Sequence, residues 1–231
     1  SALELGPFSL GFPNAAQEAL DSSLRAQGIQ AMAPLQTGQI DRPDGTSYRY
    51  YEAIYQAPDY VHAVGIERGD GMPQLAPVDS ASLKGGPGYS AMVVENSDEW
   101  LKFLTSILDY EIRADYAWES SPGSALGIEA GVPFRFLILY SKGASQNHLL
   151  FLDFDDDRGI PQSVPPRVPN LGLGMWTFQT TDLAGVSAAA EAAGVELLSG
   201  PTQYIDPILG EVEVISLLAP NGFLIEIFSA N

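Results

Sequence analysis

The sequence predicts an α+β protein built from about three β-α-β-β-β units. Three observations carry this. A strand-like run is followed by a short helical stretch at three places. Two of these stretches end in the same punctuation: Gly28 leads on to Pro34, and Gly194 leads on to Pro201. Each copy then runs into sequence rich in β-branched and aromatic residues, which favours strands.

The first unit spans residues 1–70. Pro7–Phe12 reads as its opening strand and Ala15–Gln27 as its helix, with Gly28 where a helix C-cap belongs. In Ser47–Gln56, alternation sends Tyr51 and Tyr55 to one face and Tyr48 and Tyr50 to the other. Aromatics on both faces suit packing on one side and a ligand wall or interface on the other, or simply the filling of a curved sheet. A linker follows over 71–88. Its Gly85-Gly86-Pro87-Gly88 run lacks the lysine–serine ending and following helix of a phosphate loop.

The second unit spans 87–156. Tyr89–Val94 is a short apolar strand, and Asn96-Ser97-Asp98 can cap a helix over Glu99–Leu108. Trp100, Leu101, Phe103, Leu104, Ile107 and Leu108 recur at helical spacing and predict a buried stripe. Four strands are expected after it: Glu111–Trp118, Ser124–Ile128, Phe134–Tyr140 and His148–Phe154. Asp155-Asp156-Asp157 reads as a solvated turn, and 157–171 as a second linker. The third unit, 172–231, opens with strand Met175–Thr180 and helix Leu183–Ala193, closed by Gly194.

Composition narrows the function classes. The 231 residues contain 29 Asp+Glu against 11 Lys+Arg, a formal net charge of −18. That surface repels nucleic-acid phosphates and anionic lipid, so neither is an expected partner. There is no cysteine, which removes thiolate chemistry and disulfides and suits the cytoplasm. No apolar run is long enough to cross a membrane, and the first residues, Ser1-Ala2-Leu3-Glu4, carry no signal-peptide pattern.

The closing run Ala219-Pro220-Asn221-Gly222-Phe223-Leu224-Ile225-Glu226-Ile227-Phe228, together with Thr181-Asp182-Leu183, Ala193-Gly194-Val195 and Gly200-Pro201, resembles the second unit of the vicinal-oxygen-chelate superfamily. That superfamily holds glyoxalases, bleomycin-resistance proteins and extradiol dioxygenases. Val93-Val94-Glu95-Asn96 and the run Trp100–Tyr110 resemble its first unit, with Asp109 in place of the usual glycine. The likeness covers 87–229 well and the first unit loosely. It implies that two units pair and that their curved mixed sheets form a cup, with the third unit paired to the second.

The resemblance also implies where a metal would sit. Ligands come from the first and last strands of each unit, which here gives Tyr89, Met175, Asp153 and Glu226. Such a set is poor for a divalent metal. No cofactor is therefore expected; a divalent metal, if held, would fall to Glu226, Asp153 and His148. Glu226 stands alone among apolar neighbours and is the candidate base or relic ligand, unless it meets solvent or an arginine. His148 and Tyr89 join it as candidate acid/base or polarising groups. Arg135, between Phe134 and Phe136, would anchor a polar ligand oxygen or form an outer-face ion pair. Tyr140, Trp118, Trp176 and Tyr204 are candidate walls of an aromatic pocket or members of the core.

Three readings follow. The favoured one is an enzyme of the isomerase or lyase class that uses acid/base chemistry on a small, apolar or aromatic molecule. The second is a ligand-sequestering protein of the bleomycin-resistance type. The third is a metal-dependent glyoxalase or dioxygenase. An odd number of units also predicts a homodimer, with the first unit as the one seeking a partner.

Overall fold

The computed structural model describes residues 2–41, 47–58, 61–69, 75–154, 158–161 and 172–230. The acidic triplet Asp155–Asp157 and most of the 157–171 linker lie outside these residues, as does part of the first linker.

Three successive β-α-β-β-β units are present. The first holds β1 (Gly6–Pro13), α1 (Gln17–Ala26), β2 (Gln36–Asp41), β3 (Ser47–Gln56) and β4 (His62–Arg68). The second holds β5 (Tyr89–Val94), α2 (Ser97–Ile107), β6 (Tyr110–Glu119), β7 (Pro133–Ser141) and β8 (His148–Phe154). The third holds β9 (Met175–Gln179), α3 (Leu183–Ala192), β10 (Leu197–Asp206), β11 (Gly210–Leu218) and β12 (Leu224–Ala230).

Local chemistry sets the helix ends. The Asn96 side chain accepts from the backbone N–H groups of Asp98 and Glu99, and the Asp182 side chain accepts from that of Gly185. Gly28 and Gly194 take φ of +81° and +73°, so each helix closes where a side chain would be strained. Asp109 also adopts a positive φ, of 54°, and so performs the turn for which the resemblance expects glycine.

The expected strand Ser124–Ile128 is a loop. Gly127 and Gly131 both take positive φ, and the Gly127 N–H donates back to the Ser124 carbonyl at 2.9 Å. The Ser120 hydroxyl then ties the loop by donating to the Glu129 carbonyl and accepting from the Val132 N–H. A chain turning back on itself this way has no extended edge to offer a neighbour.

Strand pairing differs from the expected partnership. β1 and β5 run antiparallel and pair through Gly11↔Tyr89 and Pro7↔Met92. They join the first two units into one eight-stranded sheet, β2-β3-β4-β1-β5-β8-β7-β6. The second unit's strands thus pair with the first unit's, not with the third's. Among the described residues the third forms its own four-stranded sheet, β10-β11-β12-β9.

By contacts the chain divides into two compact bodies. In the one built on the eight-stranded sheet, α1 packs against β3 and β4 with a polar face. Gln17 and Asp21 are its buried residues. The Gln17 side-chain amide donates to the Tyr55 hydroxyl at 2.9 Å, and that hydroxyl donates to Asp21 at 3.0 Å. Arg25 closes the chain on Asp21 at 2.7 Å. Gln17, Tyr55 and Asp21 are each partnered in this chain of contacts, as burial of such groups requires. In the other body, α2 and α3 cover the four-stranded sheet. Trp100, fully buried, meets Trp176 and Phe223 with ring centroids 5.7 and 6.2 Å apart.

Candidate small-molecule cup

Period-two alternation places one set of side chains on the concave face of the eight-stranded sheet. On β3 these are Tyr50, Glu52 and Ile54; on β5, Tyr89 and Ala91; on β8, Leu150 and Leu152. Phe8 of β1, Val64 of β4, Phe134 and Phe136 of β7 and Trp118 of β6 join them around one cavity. Gln36 from β2, at one edge of the sheet, lines the same space as Trp118 from β6, at the other edge. The sheet therefore curls into a cup. The 120–132 loop, through Ser124, Ala125 and Leu126, lines it as well, and the cavity volume is about 220 Å³.

Polar groups line the cup at both edges of the sheet: Gln36, Tyr50 and Glu52 on β2 and β3, and Glu119, Ser120, Ser121 and Ser124 from the end of β6 onward. Glu52 reaches the cup from the middle of β3, between Tyr50 and Ile54. The residue is half-buried, because the cavity leaves part of it accessible, yet its carboxyl group is surrounded by protein. Burial pushes that carboxyl up from 4.5 to about 7, against the smaller opposing pull of the Arg68 guanidinium. Tyr89 is buried nearby. Burial first, then the negative charge of Glu52, holds its phenol well above the ordinary tyrosine value, so it stays a proton donor.

Tyr89 is fixed by its neighbours. A Cβ on Gly11 would lie 1.9 Å from the Tyr89 ring, so the ring occupies space that only glycine leaves open. On its other side His148 stacks on Tyr89 with centroids 5.0 Å apart, and Tyr140 stacks on His148 at 5.0 Å. These rings follow the register Gly11↔Tyr89↔His148↔Tyr140 across four strands. Burial, then the positive charge of Arg68, lowers His148 to about 3. It remains neutral near pH 7, which removes it as a group that gains a proton there.

The other sequence candidates lie elsewhere. Arg135 points to the opposite face of β7 and forms a two-pronged pair with Asp115, at 2.8 Å for each contact. Asp153 sits one residue out of phase with His148 and Leu152, on that same outer face. Trp176 is core, at 6% exposure. Glu226 is half-buried on β12, beside Ser216 and Thr177, on the face opposite the buried Ile225 and Ile227. Tyr204 is exposed and donates to Asp206 at 2.9 Å. Glu226, Trp176 and Tyr204 all belong to the body that does not contain the cup.

Sequence reasoning missed Glu52 and Gln36, and left Tyr50 between a ligand wall and the filling of a curved sheet. The signal for Glu52 was present: a lone carboxylate two residues from Tyr50 and two from Ile54 on an alternating strand. The same signal singled out Glu226.

These strands and their pairing define the vicinal-oxygen-chelate fold. A mutant (V278E) of glyoxalase I from Zea mays matches over 98% of this chain and 68% of its own, with 15% identity and a TM-score of 0.60. Glyoxalase I from Zea mays matches with 14% identity over 98% of this chain and 68% of its own, at a TM-score of 0.57. A glyoxalase family protein from Bacillus cereus matches over 70% of this chain and 97% of its own, with 14% identity and a TM-score of 0.53. No family profile and no curated protein matches the sequence.

A metal of the kind this fold can hold does not fit the cup. The strands that would supply ligands, β1, β4, β5 and β8, present Phe8, Val64, Tyr89 and Leu150 to the cavity. None is a usual ligand for a divalent ion. Among the described residues no three His, Asp or Glu side chains are grouped so as to hold one. Nor is any described helix long and apolar enough to cross a membrane.

Proposed function

We propose that the cup formed by the first two units binds a small, largely apolar organic molecule and exchanges a proton with it through Glu52. The observation that carries this reading is the Glu52 carboxyl on the wall of a part-apolar cavity, held by burial to about 7. A group that titrates near neutrality can both take and give a proton under working conditions. The Tyr89 hydroxyl, kept protonated, supplies a donor that can polarise a ligand oxygen. The reaction class that suits these groups is isomerisation or lyase chemistry by proton transfer, without a step through a metal. The absence of cysteine suits work in the cytoplasm.

The apolar lining also favours a second reading, a protein that sequesters such a molecule without transforming it. Glu52→Gln separates the two. It keeps the side chain's size but cannot exchange the proton. Turnover lost with the cup still binding its ligand supports acid/base catalysis. A ligand bound by both forms with no turnover in either leaves sequestration as the function.

A further inference from the structure

We infer that the cup is built for a small amine, with a one-ring apolar body and a protonated nitrogen that meets the Glu52 carboxylate. This rests on the reading of the cup as the ligand site and narrows it to a chemical class. Size is the first ground. The cavity is about 220 Å³, and an apolar cavity of about 150 Å³ accommodates benzene. A single ring with a two-carbon arm therefore suits it.

The second ground is how the wall divides. Phe8, Phe134, Phe136, Leu150 and Leu152 line it with hydrocarbon, while Gln36, Tyr50 and Glu52 on β2 and β3, and Glu119, Ser120, Ser121 and Ser124 at the other edge, are polar. A ligand that matches it combines an apolar body with a polar group. The third ground is the sign of the charge. Glu52 and Glu119 are the ionisable carboxyls among the described lining residues, and no lysine, arginine or histidine is among them. The net charge of −18 further favours the approach of a cation over an anion.

The groups around Glu52 support the match. Arg68 on β4 acts on it across the concave face, Tyr89 approaches from β5, and Tyr50 lies two residues away on its own strand. Gln36 on β2 is its uncharged register partner. The attraction of Arg68 falls short of the cost of burial, since the carboxyl remains raised. An ammonium placed against it supplies the missing counter-charge. An anionic ligand would find no charged partner in the lining and would require Glu52 to stay protonated.

The test uses three probes of one skeleton, titrated calorimetrically into the full chain at pH 6 and pH 8: 2-phenylethylamine, 2-phenylethanol and 3-phenylpropanoate. The amine should bind tightest at pH 8 and about tenfold more weakly at pH 6, as the ionised share of Glu52 falls from about nine-tenths to about one-tenth. The alcohol should bind equally at both pH values, and equally to Glu52→Gln, which shows that the variant's cup is intact. Glu52→Gln should lose the preference for the amine. If the alcohol or the propanoate matches or exceeds the amine at pH 8, the amine class is wrong while the small-molecule cup stands. If none of the three binds, the cup is not a ligand site and both readings fall.

Discussion

Replacing Glu52 with glutamine should stabilise this protein at alkaline pH and leave it nearly unchanged in mild acid. In the folded chain the carboxyl titrates at about 7, and in the unfolded chain near its ordinary 4.5. Below 4.5 both states hold the proton and the group costs nothing. Between the two values the unfolded chain releases its proton while the folded chain keeps it, so stability falls as pH rises. Above about 7 the loss is complete. About two and a half pH units at about 1.4 kcal/mol each come to about 3 kcal/mol. The glutamine variant carries no such cost. Thermal melts of both proteins at pH 5 and pH 8 provide the assay. At pH 5 the two should agree within about 1 kcal/mol; at pH 8 the variant should melt higher by roughly 5–10 °C. Parallel pH profiles would refute the claim that burial suppresses ionisation of this carboxyl.

Three further outcomes follow from other parts of the molecule. His148, held to about 3 by burial, favours the neutral form, so stability should drop as pH falls from 6.5 toward 3 while the unfolded chain gains a proton. His148→Phe should flatten part of that acid-side decline, as read from denaturant midpoints at pH 6 and pH 4. Gly11→Ala drives a methyl into the Tyr89 ring and should cost about 1–3 kcal/mol, and the same change should cost little in a Tyr89→Ala background. Undiminished stability in the single variant would mean that the ring moves freely. Finally, β9 ends the four-stranded sheet, whereas its counterparts β1 and β5 pair with each other. If a second copy pairs at that edge, light scattering should read a homodimer of twice 24.7 kDa. A monodisperse monomer would count against it.

Much of the fold was legible because its punctuation is local. Gly28, Gly194 and Asn96 act on backbone groups within a few residues of themselves, so their meaning survives without knowledge of distant partners. The 120–132 loop was misread in part because Ala125, Leu126 and Ile128 look like a strand. These side chains are apolar because they cover the cup, which no local pattern announces. Tyr50 and Tyr55 were assigned to opposite faces, and they do part company: Tyr50 lines the cup and Tyr55 meets α1.

The sequence by itself determined three β-α-β-β-β units, most of their helix ends and the strongly acidic charge. Tertiary structure alone decided which units share a sheet and therefore which lone carboxylate faces a cavity. Alternation shows that Glu52 shares a face with Tyr50, and Glu226 a face with Leu224 and Phe228. It does not show which face another part of the sheet will curl over. That depends on the pairing of β1 with β5, a contact between segments some eighty residues apart. Each opening strand offers similar backbone groups to any partner, so the choice among them is made by the packing of whole sheets and not by any short stretch of sequence.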